Sequence, residues 1–144
     1  MQSVIPGKLI KVILDTNLWI SFLIRKDYSN LDTLLFNNQV KLVFSKELLD
    51  EFLEVAKRPK FRRYFTSIDI EDLIETIEEY AEFVEVKSTV EACRDEKDNF
   101  LLALAVDSDA TYLLTGDLDL LDLGSFNDTT ITTITDFFKS GIIS

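Results

Sequence analysis

Short uninterrupted apolar runs alternate along this chain with longer segments in which apolar residues recur every three to four positions. Runs of the first kind are typical of buried strands, and segments of the second kind are typical of helices. The pattern predicts strands at 9–14, 40–44, 83–86, 112–115 and 131–134. It predicts helices at 18–24, 30–38, 69–81, 99–106 and 136–140, and a further helix that Ser45 caps and Pro59 ends. Strands separated by helices indicate an α/β fold, a three-layer α/β/α sandwich with a mostly parallel central sheet.

The 144 residues are interpreted as one domain, 1–144, because 47% of them are hydrophobic and nothing separates two apolar regions. Only two prolines and four glycines occur, so no linker is predicted. No uncharged run approaches the roughly 20 residues that span a bilayer. A single cysteine, Cys93, fits a reducing compartment. We therefore expect a soluble, cytoplasmic protein with no membrane partner.

The absence of histidine restricts the chemistry that the chain can perform. An imidazole base, a Ser-His-Asp arrangement and a His-ligated zinc site are all excluded. Catalysis would have to depend on carboxylates, hydroxyls, lysine or tyrosine. The candidates are therefore sought among the acidic residues, which outnumber the basic ones by 26 to 15.

Carboxylates follow two of the predicted strands. Asp15 comes directly after the first, and Asp117 and Asp119 come after the fourth, in the sequence T-G-D-L-D-L-L. A further acidic group, R-D-E-K-D-N, contains Asp98 and precedes the buried helix at 99–106. Because ligands of open α/β sheets bind beyond the carboxyl ends of the strands, these acids are predicted to share one crevice.

Each acid also has a purely structural explanation. Asp15 and Asp117 are at positions where Asp commonly caps a helix. Asp95 and Asp98 have the spacing of a capping box in which Asp replaces Glu. Spacing alone does not distinguish these roles from a functional one.

Several carboxylates in one pocket repel each other unless a cation neutralises them. An all-oxygen site without histidine suits Mg²⁺ or Mn²⁺, which retain several waters and bind substrate phosphate. Such an ion lowers the pKa of bound water and stabilises a leaving oxygen. Phosphodiester hydrolysis is therefore the predicted reaction class.

Four motifs together resemble the PIN domain ribonucleases, and among them the single-domain toxins of prokaryotic toxin-antitoxin pairs. They are I-L-D-T-N-L-W-I, S-K-E-L-L-D-E-F, R-D-E-K-D-N-F-L-L-A-L-A and Y-L-L-T-G-D-L-D-L-L, and they occur in the expected order nearly end to end.

The resemblance implies roles for particular residues. The four acidic positions of the family correspond to Asp15, Glu51, Asp98 and Asp117, which are the expected catalytic residues. Asp15, Asp98 and Asp117 would hold Mg²⁺ or Mn²⁺, Glu51 would orient or deprotonate the attacking water, and Asp119 would assist a second ion. Polar neighbours expected to support these acids are Thr16, Asn17, Asp95 and Thr115. Whether Asp95 contacts metal or caps the helix is left open.

A basic segment makes the acidic net charge of -11 compatible with an RNA substrate. The sequence K-R-P-K-F-R-R-Y-F interleaves cations with aromatic residues, as binding of single-stranded RNA requires. The equally weighted alternative is a solvated helix end with aromatic residues in the core. The candidate RNA-binding residues are Lys57, Arg58, Lys60, Arg62 and Arg63.

The sequence is thus interpreted as a metal-dependent endoribonuclease and the toxin of a toxin-antitoxin pair. RNA, an antitoxin protein and a second copy of the chain are the expected partners, the last two by resemblance. One alternative is a catalytically silent module that binds RNA or protein. Another is an aspartyl-phosphate phosphatase, although D-T-N-L-W does not match its D-x-D-x-T signature.

Overall fold

The computed structural model describes residues 9–143 and contains one six-stranded sheet with the strand order β3-β2-β1-β4-β6-β5. All neighbouring strands are parallel except β5 and β6, which form an antiparallel pair. The strands are β1 Ile10–Leu14, β2 Val40–Phe44, β3 Glu82–Phe83, β4 Tyr112–Leu114, β5 Ser125–Phe126 and β6 Thr129–Thr132. The prediction of an α/β fold with a mostly parallel sheet is confirmed.

Seven α-helices connect or follow the strands, and several begin at a hydroxyl cap. Ser45 accepts a hydrogen bond from the Leu48 N–H, and Thr66 forms a capping box with Asp69. The helices are α1 Thr16–Arg25, α2 Ser29–Phe36, α3 Lys46–Ala56, α4 Ser67–Tyr80, α5 Glu96–Ser108, α6 Leu118–Leu123 and α7 Ile134–Lys139. A 3₁₀ turn at Pro59–Phe61 follows α3.

The central strand β1 is covered on both faces. Val12 and Ile13 are both 0% exposed, and neighbouring strand residues point to opposite sides of a sheet. On one side of the core, Trp19 of α1 packs on Phe44 and Phe52, whose ring centroids lie 5.2 and 6.4 Å from that of Trp19. Double-sided burial explains why β1 is almost uninterruptedly apolar in sequence.

The structure differs from the sequence prediction mainly in short elements. The T-G-D-L-D-L-L segment, interpreted as a turn, continues into α6. The strand expected at 131–134 is β6, two residues earlier in the chain, and its antiparallel partner β5 has no counterpart in the sequence prediction. The strand expected at 83–86 is shorter because regular pairing ends at Phe83, with one further bond from the Val84 N–H to the Phe44 carbonyl. Short elements bury too few residues to leave a periodic pattern.

The strand order places a crevice between β1 and β4. Strand β1 has β2 on one side and β4 on the other, so the chain connections leave in opposite directions at this point. Such switch points are where α/β sheets bind ligands. Asp15 follows β1, and Thr115 and Asp117 follow β4, at the same edge of the sheet. Within residues 9–143, no helix is long and apolar enough to cross a membrane.

Candidate metal centre

Three carboxylates converge beyond the carboxyl ends of β1 and β4. Asp98 lies in the first turn of α5, and Asp117 and Asp119 lie at the start of α6. One oxygen of each lies within 4.8 Å of one oxygen of each of the others. The structure thus brings together three of the four residues predicted to hold metal.

Asp98 is the most deeply buried member of this group. It is 4% exposed, and its Oδ2 has no hydrogen-bond partner among the described residues. The alternative role of Asp98 in a capping box does not match the geometry, because Asp95 caps α5 alone by accepting a hydrogen bond of 2.9 Å from the Lys97 N–H. A buried carboxylate oxygen without a donor is costly unless a cation supplies the missing interaction.

The surroundings of Asp98 favour its protonated form. Burial, followed by the negative charge of Asp117 and a hydrogen bond shared with it, raises the pKa of Asp98 to about 7, and Asp95 and Asp15 add to the effect. Three carboxylates this close cannot all ionise without a compensating positive charge. The electrostatics of the group therefore match a cation site.

Asp15, the fourth predicted ligand, lies beside this group rather than within it. Burial raises the pKa of its carboxyl group, and Glu51 and Asp117 act in the same direction. The Thr115 hydroxyl opposes this shift by donating a hydrogen bond of 2.7 Å to Asp15 Oδ2. Asp15 occupies the N-cap position of α1, but its side chain accepts no capping hydrogen bond from the described residues. The Asn17 N–H is near enough to lower the pKa of the Asp15 carboxyl group.

Asp117 caps α6 and faces Asp98 at the same time. Its Oδ1 accepts hydrogen bonds from the Asp119 and Leu120 N–H groups, at 2.8 and 3.4 Å. Its own N–H donates to Thr115 Oγ1 at 3.0 Å. Capping occupies only one carboxylate oxygen, so the structural and functional explanations of Asp117 are compatible.

Glu51 reaches the group from α3. Its Oε2 accepts a hydrogen bond of 2.9 Å from the Thr16 hydroxyl, and its Oε1 lies 3.4 Å from Lys97 Nζ. Thr16 thus fixes the carboxylate of Glu51 near the start of α1, the helix that Asp15 precedes. Asn17, the other polar neighbour predicted to support the acids, has an exposed side chain in the same turn.

The residue types fit a hard divalent cation. The site offers carboxylate oxygens only, one of them buried and without a donor, and it contains more negative charge than the surrounding hydrogen bonds compensate. Mg²⁺ and Mn²⁺ prefer such oxygen ligands. Asp98, Asp117 and Asp119 are the residues that could hold such an ion, and Asp15 lies close enough for the charge of Asp117 to act on it.

The basic segment 57–65 lies at the far end of α3 from the strand ends. The helix has 11 residues, about 16.5 Å at 1.5 Å per residue. Phe65 is buried and stacks on Phe61, whereas Tyr64 is exposed under the Arg63 guanidinium. Arg58 pairs with Glu54 at 3.1 Å, and the other four cations are exposed. The aromatic residues are thus divided between the core and the surface.

Sequence reasoning missed two cations at the acidic group. Arg94 lies 3.4 Å from Asp119, and Lys97 pairs with Glu51 as described. The available signal was their position on either side of Asp95 in R-D-E-K-D-N. The acids of such a motif are obvious candidates for metal binding, whereas the arginine and the lysine between them are typical of a solvent-exposed surface.

Thr115 provides a test of how the acids are held. Replacing this buried residue by valine removes the hydrogen bonds to Asp15 and Asp117 at nearly constant volume. We expect the free energy of unfolding to fall by about 1–3 kcal/mol and Mg²⁺ affinity to weaken, because a carboxylate and a backbone N–H lose their partner. Denaturant unfolding and calorimetric titration measure the two effects.

Thr129→Val is the matched control, since buried Thr129 donates one hydrogen bond to the Ala110 carbonyl away from the acids. It should lower stability without changing Mg²⁺ affinity. Equal metal affinity in both variants would show that Thr115 does not position the acids.

Comparison with known proteins agrees with this geometry. The PIN domain family matches residues 11–119, a range that includes every acid of the site. The chain is also 30% identical over 121 residues to an uncharacterized protein of Methanocaldococcus jannaschii, covering 82% of this chain and 77% of that protein. PIN domains are generally nucleases and usually bind divalent metals. The chain belongs to the PIN domain family.

Proposed function

We propose that this protein is a metal-dependent endoribonuclease that hydrolyses RNA phosphodiester bonds with Mg²⁺ or Mn²⁺. The observation that supports this function best is the unpartnered, buried oxygen of Asp98 among the other acids. A cation site at the switch point of an α/β sheet, in a family of nucleases, favours hydrolysis of a phosphodiester over mere structural stabilisation.

The position of each carboxylate suggests its role in catalysis. Asp15, Asp98 and Asp117 would hold the ion, and Asp119, clustered with Asp98 and Asp117, would assist a second one. A divalent ion held there supplies an acidified water and stabilises the charge on the leaving oxygen. Glu51, whose carboxylate the Thr16 hydroxyl holds, would orient the attacking water and accept its proton.

A cleavage assay tests the nuclease function directly. Labelled single-stranded RNA should be cut internally with Mg²⁺ or Mn²⁺ and should stay intact in EDTA. Tight RNA binding without cleavage at any concentration of either ion would instead support a silent binding module. Phosphate release from a small phosphoester, with a phosphate trapped on Asp15, would support the phosphatase alternative.

The toxin role, the antitoxin partner and the homodimer are part of the same proposal and rest on the resemblance to PIN-domain toxins. An antitoxin would place a helix or extended tail near the acids, and an arginine of that tail would pair with them. A small adjacent gene whose product inhibits cleavage would support the pair. A monodisperse monomer with no such neighbouring gene would contradict both the dimer and the antitoxin.

The exposed cations of the basic segment should contribute to RNA affinity. Changing Lys60, Arg62 and Arg63 together to alanine should raise KM several-fold and leave kcat within about twofold, because these residues lie away from the acids. The salt dependence of binding should also become shallower, since fewer counterions are released. Steady-state kinetics at two salt concentrations measure both quantities.

Lys139→Ala, which removes an exposed lysine from α7, shows the effect of losing one positive charge outside the basic segment. Unchanged RNA affinity in the triple variant would make the segment 57–65 a structural element only.

A further inference from the structure

We propose that Arg94 and Lys97 form a phosphate clamp that binds the RNA backbone on the two sides of the metal centre. This inference rests on the proposed nuclease function and deepens it, because it assigns residues to substrate binding at the acids themselves. Arg94 precedes the cap of α5 and Lys97 lies in its first turn, directly before buried Asp98.

The two side chains reach in different directions. The Arg94 guanidinium contacts Asp119 of α6, and the Lys97 ammonium contacts Glu51 of α3, both at 3.4 Å. The cations therefore contact different acids, Asp119 of the cluster with Asp98 and Asp117 in one case, and Glu51, whose charge acts on Asp15, in the other. A strand that crossed the group would meet one of them before the metal centre and the other after it.

In both ion pairs, an RNA phosphate could replace the carboxylate as the partner of the cation. The Arg94 side chain is 91% exposed and that of Lys97 is 60% exposed, so solvent screens both contacts. Exposed pairs of this kind contribute little to stability. An arginine can form two parallel hydrogen bonds with a phosphate, and a lysine acts on it as a point charge. Substrate binding therefore requires no costly rearrangement.

The charge at the site requires such cations. Five carboxylates surround the crevice, from Asp15, Glu51, Asp98, Asp117 and Asp119, and one divalent ion would leave them with negative charge in excess. An RNA phosphate adds further negative charge. After Lys97, the sequence contains only one more basic residue, Lys139. Arg94 and Lys97 are thus well placed to offset repulsion between the acids and the substrate.

The backbone next to Arg94 is held by hydrogen bonds, while its side chain is exposed to solvent. Asn99 Nδ2 donates a hydrogen bond of 2.9 Å to the Cys93 carbonyl, and Asn99 Oδ1 accepts one of 2.7 Å from the Cys93 N–H. The Asp95 cap holds the Lys97 N–H on the other side. A fixed backbone that carries a solvated cation is suited to binding a flexible polyanion at a defined distance from the acids.

The competing explanation is that both cations only neutralise the acids when metal is absent. In that case, removing them would tighten Mg²⁺ binding and would not affect RNA affinity. The clamp requires a loss of RNA affinity instead. The two explanations are therefore separated by measuring RNA and metal binding on the same variants.

The test uses fluorescence anisotropy with a labelled six-nucleotide single-stranded RNA, in Mg²⁺, on the Asp98→Asn variant so that cleavage does not interfere. Adding Arg94→Ala or Lys97→Ala should weaken binding about tenfold each, and both together about 100-fold. The slope of log affinity against log salt should fall by about 0.7 for each phosphate that the protein no longer neutralises. Arg94→Lys and Lys97→Arg should restore part of the affinity, and Lys139→Ala should have no effect.

Unchanged RNA affinity and salt slope in the double variant would overturn the clamp, whatever happens to Mg²⁺ affinity. If the nuclease proposal alone is wrong, the result is different: the wild type does not cut RNA, but the alanine variants still lose RNA affinity. Melting temperatures of the variants verify that the substitutions, both at exposed positions, leave the fold intact.

Discussion

Replacing Asp98 by asparagine is expected to nearly abolish Mg²⁺-dependent RNA cleavage while raising the melting temperature of the metal-free protein. The variant keeps the size of the side chain but removes the negative charge that faces Asp117. Cleavage is lost because a buried metal-binding oxygen is replaced by a neutral amide. Stability rises because the repulsion described around this buried carboxylate disappears.

The pH dependence of the free energy of unfolding provides a second test of the role of Asp98. The folded pKa of Asp98 is about 7, above its ordinary value of 3.8, so the folded protein binds the proton more tightly than the unfolded chain. The metal-free wild type should therefore lose stability as the pH rises between about 4 and 7, by up to about 4 kcal/mol. Asp98→Asn should show a much smaller loss over this range.

Glu96→Gln is the matched control, since it removes an exposed charge from the same turn of α5. It should retain cleavage and the pH dependence of the wild type. Melting curves in EDTA and in excess Mg²⁺, beside a cleavage assay, measure each effect. An Asp98→Asn variant that melts lower in EDTA and still cuts RNA would show that Asp98 is a structural residue.

The double variant Asp15→Asn, Asp117→Asn is expected to lose the stabilisation that Mg²⁺ or Mn²⁺ gives the wild type. At a metal concentration 100 times its Kd, that stabilisation is about 2.7 kcal/mol. For a chain of this size it corresponds to roughly 10 °C in melting temperature. Asparagine preserves the α6 cap, because Asn and Asp cap helices about equally well. The loss would therefore reflect missing ligands and not unfolding of α6.

Calorimetric titration of both proteins provides the direct measurement. The variant with Asp122→Asn and Asp128→Asn controls for charge, since it removes two exposed carboxylates outside the acidic group. Identical weak titrations of the wild type and the Asp15, Asp117 double variant would rule out metal binding by these acids.

The edge of the sheet where the acids meet could be predicted from sequence because it follows from strand order alone. Buried strands are visible as apolar runs, and Asp15 and Asp117 lie within three residues of their ends. Glu51 could not be found this way. It is half-buried on α3, and its connection to the site is a hydrogen bond from Thr16, 35 residues earlier. Hydropathy does not record such a long-range contact, so only the family resemblance suggested this residue.

Asp98 shows a second limit of sequence reasoning. Its spacing from Asp95 is the same whether the pair forms a capping box or Asp95 caps alone, so the pattern was ambiguous. Only three-dimensional geometry revealed that Asp95 bonds to the Lys97 N–H and leaves an Asp98 oxygen without a donor. The cations Arg94 and Lys97 escaped notice for a related reason, since their acidic partners lie on other helices.

The hydrogen bond from Thr115 to Asp15 joins residues 100 positions apart, and β1 pairs with β4 over the same separation. During synthesis, β1 therefore emerges long before its central neighbour exists. Closing so long a loop is entropically costly and makes contacts of this kind slow to form. A ribosome-bound chain that ends before β4 lacks Asp117 and Asp119, so it has no complete acidic group. The acidic group is thus completed only when nearly all of the range that matches the PIN domain, 11–119, has left the ribosome.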